Sequence, residues 1–210
     1  MSTSTINLKI ISMSLFAIGA MTSISNAAET KGGPFIEPSI TYEVGDSKIN
    51  YPSPLSNSSG RPEGFGLGAR IGFHIDEAIF AGLDVRYAIP QYKDSSVNYN
   101  ARSYSTNWGP VIGIQMPDIG MRLWGSYIIG GILNPEKSGS LDVKFKEASG
   151  YRLGAGFRIS TLSLNLEYQN LKYHQSTLEQ IGPFTPGSTF DSVNLENSAI
   201  LASVSFPLEL

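Results

Sequence analysis

GFGLGARIGFHIDEAIFAGLDVRYAIPQY, residues 64–92, is the stretch of the chain that decides its fold. Apolar side chains occupy every second position in both halves of the stretch, and glycine or charged side chains lie between them. Side chains on a strand point alternately to its two faces, so the pattern predicts a hairpin that turns at Asp76 and Glu77. The alternation continues for about ten residues in each half, roughly what a tilted strand needs to cross a bilayer. We therefore predict a transmembrane β-hairpin whose apolar face points outward.

The composition agrees with a membrane barrel of one domain. The chain has 210 residues, of which 16% are charged, 41% are hydrophobic and 22 are glycine. Few charges at ordinary hydrophobicity are typical of an outer-membrane barrel, where alternation disperses the apolar residues. The net charge of −3 predicts no nucleic-acid surface, and the absence of cysteine excludes disulfides and thiolate chemistry. No carboxylate cluster has metal-ligand spacing, so neither a metal nor a cofactor is predicted.

The N-terminus resembles a secretory signal. Lys9 is the only charge before Glu29, and an apolar run covers residues 10–21. Residues 25–27 then fit the small-x-small cleavage rule. A transmembrane anchor is the alternative, but the run is too short to span a bilayer. The prediction is a signal peptide over residues 1–27 and an outer-membrane β-barrel domain over residues 28–210.

The rest of the chain repeats the alternation of the first hairpin. With that hairpin, six further segments make eight predicted strands, at residues 35–44, 104–116, 121–133, 143–159, 162–169 and 199–208. Long and short connections alternate between them, and the long ones are residues 46–63, 93–102, 134–142 and 173–194. Meander barrels of the outer membrane have short periplasmic turns and long external loops. The predicted fold is all-β: an eight-stranded antiparallel up-and-down transmembrane β-barrel with short periplasmic turns and long extracellular loops.

The polar strand faces are predicted to fill the inside of this barrel. A sheet in hydrocarbon cannot leave edge amides unpaired, so it closes, and eight strands leave room only for side chains. An arginine turned outward at mid-membrane costs about 2–4 kcal/mol. The charges therefore predict a lumen network that closes the barrel to solutes, formed by Glu37, Arg70, Asp84, Arg86, Arg122, Arg152, Arg158 and Glu167. The alternative is the polar surface of a soluble β-protein.

Aromatic residues fall near both ends of the predicted strands. Interfacial aromatic girdles are typical of membrane barrels. Phe73, Phe157 and Phe206 fall toward the short turns. The girdle predicted toward the long loops consists of Tyr42, Tyr87, Tyr104, Trp108, Tyr127, Tyr151 and Tyr168.

With these features the chain resembles the small eight-stranded outer-membrane barrels of the OmpX and OmpA-transmembrane-domain type. The most specific part is the C-terminal run of residues 199–206, which resembles the family's assembly signal and ends on the aromatic Phe206. Family members usually stop at that aromatic, whereas four residues follow it here.

The resemblance implies an outer-membrane location in a Gram-negative bacterium. The implied partners are outer-membrane lipid or lipopolysaccharide, the barrel-assembly machinery, and host or phage surface molecules. The predicted role is structural or interactive: envelope integrity, adhesion or host contact through the external loops, with no open pore.

Two alternatives remain open. His174 and Ser176 form a His-x-Ser pair that resembles the outer-membrane lipid A deacylases, in which a histidine activates a serine nucleophile. Thr177 stands where that resemblance predicts asparagine, and no glutamate stands at the expected later position. We therefore favour a non-enzymatic protein without catalytic residues. The second alternative is a soluble periplasmic lipocalin-like binder of an apolar ligand.

Overall fold

The structure is a computed structural model that describes residues 32–54, 56–94, 99–116, 118–137, 141–181, 184 and 187–210. The signal peptide predicted for residues 1–27 lies outside the described residues. Within the described ranges, no helix is long and apolar enough to cross a membrane.

Long antiparallel strands make up most of this part of the chain. In chain order they are β1 (Gly33–Asn50), β2 (Ser58–His74), β3 (Ile79–Asp94), β4 (Tyr99–Met116), β5 (Met121–Ile128), β6 (Gly130–Pro135), β7 (Leu141–Ile159), β8 (Leu162–Ile181), β9 (Ser188–Phe190), β10 (Asn194–Ser205) and β11 (Leu208–Glu209). β5 and β6 follow one another in the wall as a single strand, and so do β10 and β11. β9 is a short strand that pairs with the far end of β8.

The strands close into a ring. Each wall strand pairs with its neighbours in the sequence, from β1 with β2 to β8 with β10. β1 also pairs with β10, from Ser39 opposite Ser205 to Asn50 opposite Asn194, so the sheet has no free edge. The predicted eight-stranded antiparallel up-and-down barrel is confirmed.

The strands extend further than the sequence predicted. β1 continues to Asn50 and β2 begins at Ser58, so the connection expected over residues 46–63 shortens to residues 51–57. β8 is 20 residues long and continues to Ile181. A membrane crossing needs only about ten residues, so one end of the wall extends past the length that a bilayer requires. We call this the loop end; the opposite end, the terminal end, carries Gly33, Leu210 and the turns after β2, β4 and β7.

A β-bulge interrupts the fifth wall strand. Val111 of β4 lies opposite Ser126, but Trp108 lies opposite Gly130, so one extra residue separates β5 from β6. An extra residue exchanges the two faces of a strand. Simple alternation along the strand would place Leu133 outside with Tyr127, but the extra residue turns Leu133 inward, where it is buried.

The same irregularity continues into the next two strands. Glu147 in β7 has a φ of 57°, in the left-handed region. Phe145 and Ala148 are both buried although they are three positions apart, as are Tyr173 and Ser176 on β8. On the loop-end side of Glu147 in β7 and of Tyr173 in β8, the inward-facing and outward-facing positions are therefore exchanged.

The outside of the barrel is apolar around its middle. Leu166 and Ile112 are each 61% exposed, and Ile40 is 55% exposed. The aromatic residues predicted as a girdle toward the loops all face outward. Such a belt of exposed apolar side chains between aromatic rings is typical of a transmembrane barrel.

Candidate functional site: the charged lumen

Two buried apolar clusters lie inside the barrel with the charges between them. The cluster nearer the terminal end consists of Phe35, Phe80, Val111 and Trp124. The cluster nearer the loop end consists of Ile128, Leu133, Phe145, Ala148, Leu171, Tyr173 and Leu195. The polar side chains of the lumen are thus enclosed at both ends by packed apolar groups.

Glu37 is one centre of the charge network. Arg122 donates from Nη1 and Nη2 to its two carboxylate oxygens, each at 2.8 Å. Arg70 Nη1 approaches Glu37 Oε1 to 3.4 Å, and the Ser205 hydroxyl donates to the same oxygen at 2.6 Å. The carboxylate therefore has partners on three other wall strands.

Glu167 is a second centre, on β8. It accepts from Arg86 Nη2 at 2.7 Å and from Arg70 Nη2 at 3.3 Å. The Ser203 hydroxyl also donates to it, at 3.3 Å. Because Arg70 contacts both Glu37 and Glu167, the two centres form one connected network.

Asp84 links this network toward the loop end. Arg152 Nη1 donates to Asp84 Oδ2 at 2.6 Å, and the Ser126 hydroxyl donates to the same oxygen at 2.9 Å. Arg152 Nη2 also donates to Gln169 Oε1 at 2.8 Å and to Asn107 Oδ1. With these neutral groups, every strand of the ring supplies at least one member of the network.

Two arginines also contact aromatic rings of the cluster near the terminal end. The guanidinium carbon of Arg70 lies 4.0 Å from the centroid of Trp124, and that of Arg122 lies 5.2 Å from Phe80. Both distances are within the range of cation–π attraction. The charged layer is thereby packed onto the apolar layer without a gap for bulk water at these rings.

The structure brings together seven of the eight charged residues predicted for the lumen. Arg158 is the exception, and its predicted place in the lumen network is wrong. It lies at the terminal end of the barrel, 28% exposed, with Nη1 at 3.1 Å from Glu209 Oε1. Arg158 is separated because it is only one residue from the end of β7. Sequence reasoning also missed the neutral partners Asn107, Ser126 and Gln169, which share the polar strand faces but carry no charge to single them out.

Glu209 defines a second cluster, which we call the terminal clasp: Glu209, Arg158 and His74. His74 Nε2 lies 3.2 Å from Glu209 Oε2, and its ring packs against Phe35 with centroids 4.8 Å apart. A cavity of about 270 Å³ adjoins the clasp, lined by Gln115, Met116, Gly120, Arg122, Arg158 and Ser160. Alternation along β2 puts His74 on the same face as Arg70, but the sequence gives no indication of Glu209 as its partner.

The residues that follow Phe206 complete the last strand. Phe206 donates its backbone N–H to Pro38 O at 2.9 Å, and β11 then pairs Leu208 with Ile36 and Glu209 with Phe35. The four residues beyond the aromatic thus continue the register of β10 along β1. They carry Glu209 into the mouth of the barrel.

The structure does not bring His174 and Ser176 together. Ser176 is buried on the inner side of the wall, opposite Phe145, whereas His174 is exposed on the outside. His174 Nε2 instead lies 2.7 Å from Ser149 Oγ on the neighbouring strand. The two side chains lie on opposite faces because an irregularity between Tyr173 and Ser176 exchanges the inward-facing and outward-facing positions of β8.

The lumen carboxylates have no arrangement that suits a metal. Within the described residues, no group of three or more histidines and carboxylates is placed to hold a metal ion. Glu37, Asp84 and Glu167 are each occupied by arginines instead. These ion pairs connect different strands of the wall.

Comparisons with known proteins address the fold. No protein-family model matches the sequence, and no curated protein matches it. Among solved structures, the outer membrane protein AlkL in lipid bilayers has a TM-score of 0.52 at 12% identity, covering 88% of this chain and 94% of that one. OprG from Pseudomonas aeruginosa, also an outer membrane protein, has a TM-score of 0.51 at 9% identity, covering 86% and 98%. The fold is that of the small outer-membrane barrels. Sequence identities this low support a conclusion about the fold alone.

Proposed function

We propose that the chain is an integral outer-membrane protein of a Gram-negative bacterium, exported with residues 1–27 as a cleaved signal peptide. Its role is structural or interactive rather than catalytic. The observation that carries this proposal is the contrast between the two faces of the wall. Large apolar side chains such as Leu166 and Ile112 are exposed outside, while Arg122 and Arg152 are almost fully buried inside. This arrangement is stable only where hydrocarbon surrounds the barrel.

A closed lumen is the second part of the proposal. The network of Glu37, Asp84, Glu167 and their four arginines spans the interior, and apolar clusters cover it on both sides. Eight strands enclose a space that side chains are able to fill. Solutes therefore have no continuous aqueous path.

The loop end is the part that meets partners. Its outer wall is polar and internally bonded: Tyr104 donates to Glu136 at 3.0 Å, and Lys172 pairs with Glu196 at 3.3 Å. The strand ends that continue past the aromatic girdle form a hydrogen-bonded surface above the membrane. Such a surface suits contact with lipopolysaccharide, or with host or phage surface molecules. At the other end, Phe206 is the residue that the barrel-assembly machinery would recognise.

Membrane fractionation and heat-dependent gel mobility test the location. The proposal expects the mature chain, beginning at residue 28, in the outer-membrane fraction, with a faster-migrating folded form before boiling. Recovery of the chain in the soluble periplasm would contradict it and favour the lipocalin-like alternative. The exposed apolar belt and the charged interior both argue against that alternative, since a binder of apolar ligands needs the reverse.

Conductance across a planar bilayer tests the closed lumen separately. The wild-type protein is expected to show no steady current. A double variant, Glu37→Ser with Arg122→Ser, removes a central ion pair without leaving one charge alone and is expected to leak ions. A steady wild-type current would overturn the closed lumen while leaving the membrane location intact.

A further inference from the structure

The cavity beside the terminal clasp has a positively charged wall. Arg122 and Arg158 both line it, and none of the described residues that line it is a carboxylate. Glu37 and Glu209, which bind these two arginines, are not part of the wall. The cavity therefore presents two cations whose counter-charges lie elsewhere.

Arg122 has donors to spare at this cavity. A guanidinium carries five N–H groups, and Nη1 and Nη2 of Arg122 each donate one of them to Glu37. The residue is only 2% exposed, and its Nε has no hydrogen-bond partner within the described part of the chain. Because a buried donor without a partner is energetically costly, this edge of Arg122 favours a group that accepts from it.

Arg158 contributes a second cation from the neighbouring strand. Its Nε donates to Ser160 O at 3.0 Å and its Nη1 to Glu209 Oε1 at 3.1 Å, which fixes the guanidinium at the end of β7. Neither contact uses Nη2. The backbone N–H of Arg158 donates to Gly120 O at 2.7 Å, so the arginine is held beside the turn that precedes Arg122. Two guanidinium groups with unused donors thus meet one cavity.

The size and access of the cavity suit a small oxyanion. Its volume is about 270 Å³, several times the roughly 30 Å³ that a water molecule occupies in the liquid. Gly120 and the exposed Ser160 line it from the turns at the terminal end, and Met116 lines it from the outer face of β4. The cavity is therefore next to both the water at this end and the outer wall.

We propose that this cavity binds a small oxyanion, whose oxygens accept hydrogen bonds from Arg122 Nε and Arg158 Nη2. The planar edge of a guanidinium matches the spacing of oxygens in phosphate and carboxylate groups. Phosphate is the form that both neighbouring phases supply, as the free ion from water and as the headgroup of a phospholipid from the membrane. The lipid source rests on the membrane location proposed above, whereas the anion site itself does not.

NMR of the Arg122 Nε–H group tests the site in purified full-length protein. The protein is held in a maltoside detergent, which carries no phosphate, and inorganic phosphate is added. A shift of this signal that saturates at millimolar phosphate is expected. Sodium chloride at the same ionic strength is the control, because it screens charge without supplying an oxyanion. No shift with phosphate, or an equal shift with chloride, overturns the site.

Short-chain phosphatidylglycerol, added to the same micelles without phosphate, distinguishes the two sources. Saturation at a lower concentration than inorganic phosphate assigns the site to a lipid headgroup, and no response to the lipid assigns it to the free ion. Membrane fractionation is independent of both titrations, so a chain found outside the membrane would remove the lipid source and leave the anion site standing.

A pair of arginine variants tests the assigned donors. Arg158→Gln is expected to raise the dissociation constant for phosphate at least about tenfold, because it removes a charge-assisted donor. Arg61→Gln is the matched control, since Arg61 is exposed near the loop end of β2, and it should leave the constant unchanged. Gel mobility before boiling establishes that each variant is folded, and the wild-type titration needs no variant. Equal constants for Arg158→Gln and the wild type overturn the proposed binding by Arg158.

Discussion

Arg122 binds Glu37 through two parallel hydrogen bonds of 2.8 Å that cross the lumen from β5 to β1. Both side chains are almost completely buried. Paired guanidinium and carboxylate groups of this geometry are among the stronger ion pairs in proteins. Because both are buried, each charged group needs the other as its counter-charge.

Replacing one partner of this pair should destabilise the barrel strongly. Glu37→Gln leaves the guanidinium of Arg122 without its counter-charge, which typically costs about 3–5 kcal/mol. The double variant Glu37→Gln with Arg122→Met should be less destabilised than Glu37→Gln alone, because Arg122 no longer remains as an unpaired buried charge and Arg70 keeps its contact with Glu167. Urea unfolding in lipid vesicles measures both free energies.

The exposed pair of Lys172 and Glu196 is the control for this experiment. Its side chains are 43% and 48% exposed, and exposed ion pairs contribute about 0–1 kcal/mol. Glu196→Gln should therefore leave the unfolding free energy almost unchanged. Equal effects of Glu37→Gln and Glu196→Gln would show that the lumen network is not a stabilising element.

The terminal clasp should stabilise the closure of the barrel. Glu209→Gln removes the charge that contacts Arg158 and His74, and we expect a loss of about 1 kcal/mol because Glu209 and Arg158 are each 28% exposed. Deletion of residues 207–210 also removes the β11 pairing with β1 and should cost more. The midpoint temperature of the gel-mobility shift should fall in the order wild type, Glu209→Gln, deletion. A deletion variant as stable as the wild type would contradict this role.

Close packing inside the lumen predicts a sensitive glycine. A Cβ at Gly113 would overlap the ring of Phe80 and lie 2.7 Å from Leu123 O. Gly113→Ala should therefore lower the unfolding free energy by about 1–3 kcal/mol, as overpacking does. Gly33→Ala is the matched control, since a Cβ there meets nothing within 4 Å. Similar losses in both variants would mean that the Phe80 layer is loosely packed.

The apolar belt predicts a depth-dependent effect of charge. Leu166→Arg places a cation on the outer face among apolar side chains and should cost about 2–4 kcal/mol if the site lies near mid-membrane. Asp46→Arg, on an exposed position near the loop end, should be close to neutral. The two free energies of unfolding, measured in the same vesicles, separate a lipid-facing surface from a water-facing one. Equal values would place Leu166 in water.

Alternation along residues 64–92 predicted the barrel because lipid outside and side chains inside impose a period of two on every strand. It did not predict the bulge at Ile129. Ile128 and Ile129 are both apolar, so the sequence does not show which of them turns inward. It also placed the strand ends too early, since polar residues such as those at positions 46–50 form strand above the membrane as readily as loop.

The partners inside the lumen depended on information that the sequence does not carry. Glu37 and Arg122 lie on strands that are not neighbours, and their contact depends on the tilt and stagger of the wall. Proximity of His174 and Ser176 along the chain was misleading for a related reason: the exchange of faces on β8 turns Ser176 inward and leaves His174 beside Ser149. Which charges would be buried was predictable, but which atoms would meet was not.

Phe35 and Glu209 are direct register partners, so the first and last strands of the cylinder begin and end side by side. A short peptide linker joining residue 210 to residue 33 would make the polypeptide continuous there. New ends opened at Ser160 and Thr161, in the turn after β7, would lie at the same end of the cylinder as the old ones. Such a circular permutant keeps every pair of neighbouring strands, because the order of strands around a closed wall has no intrinsic starting point.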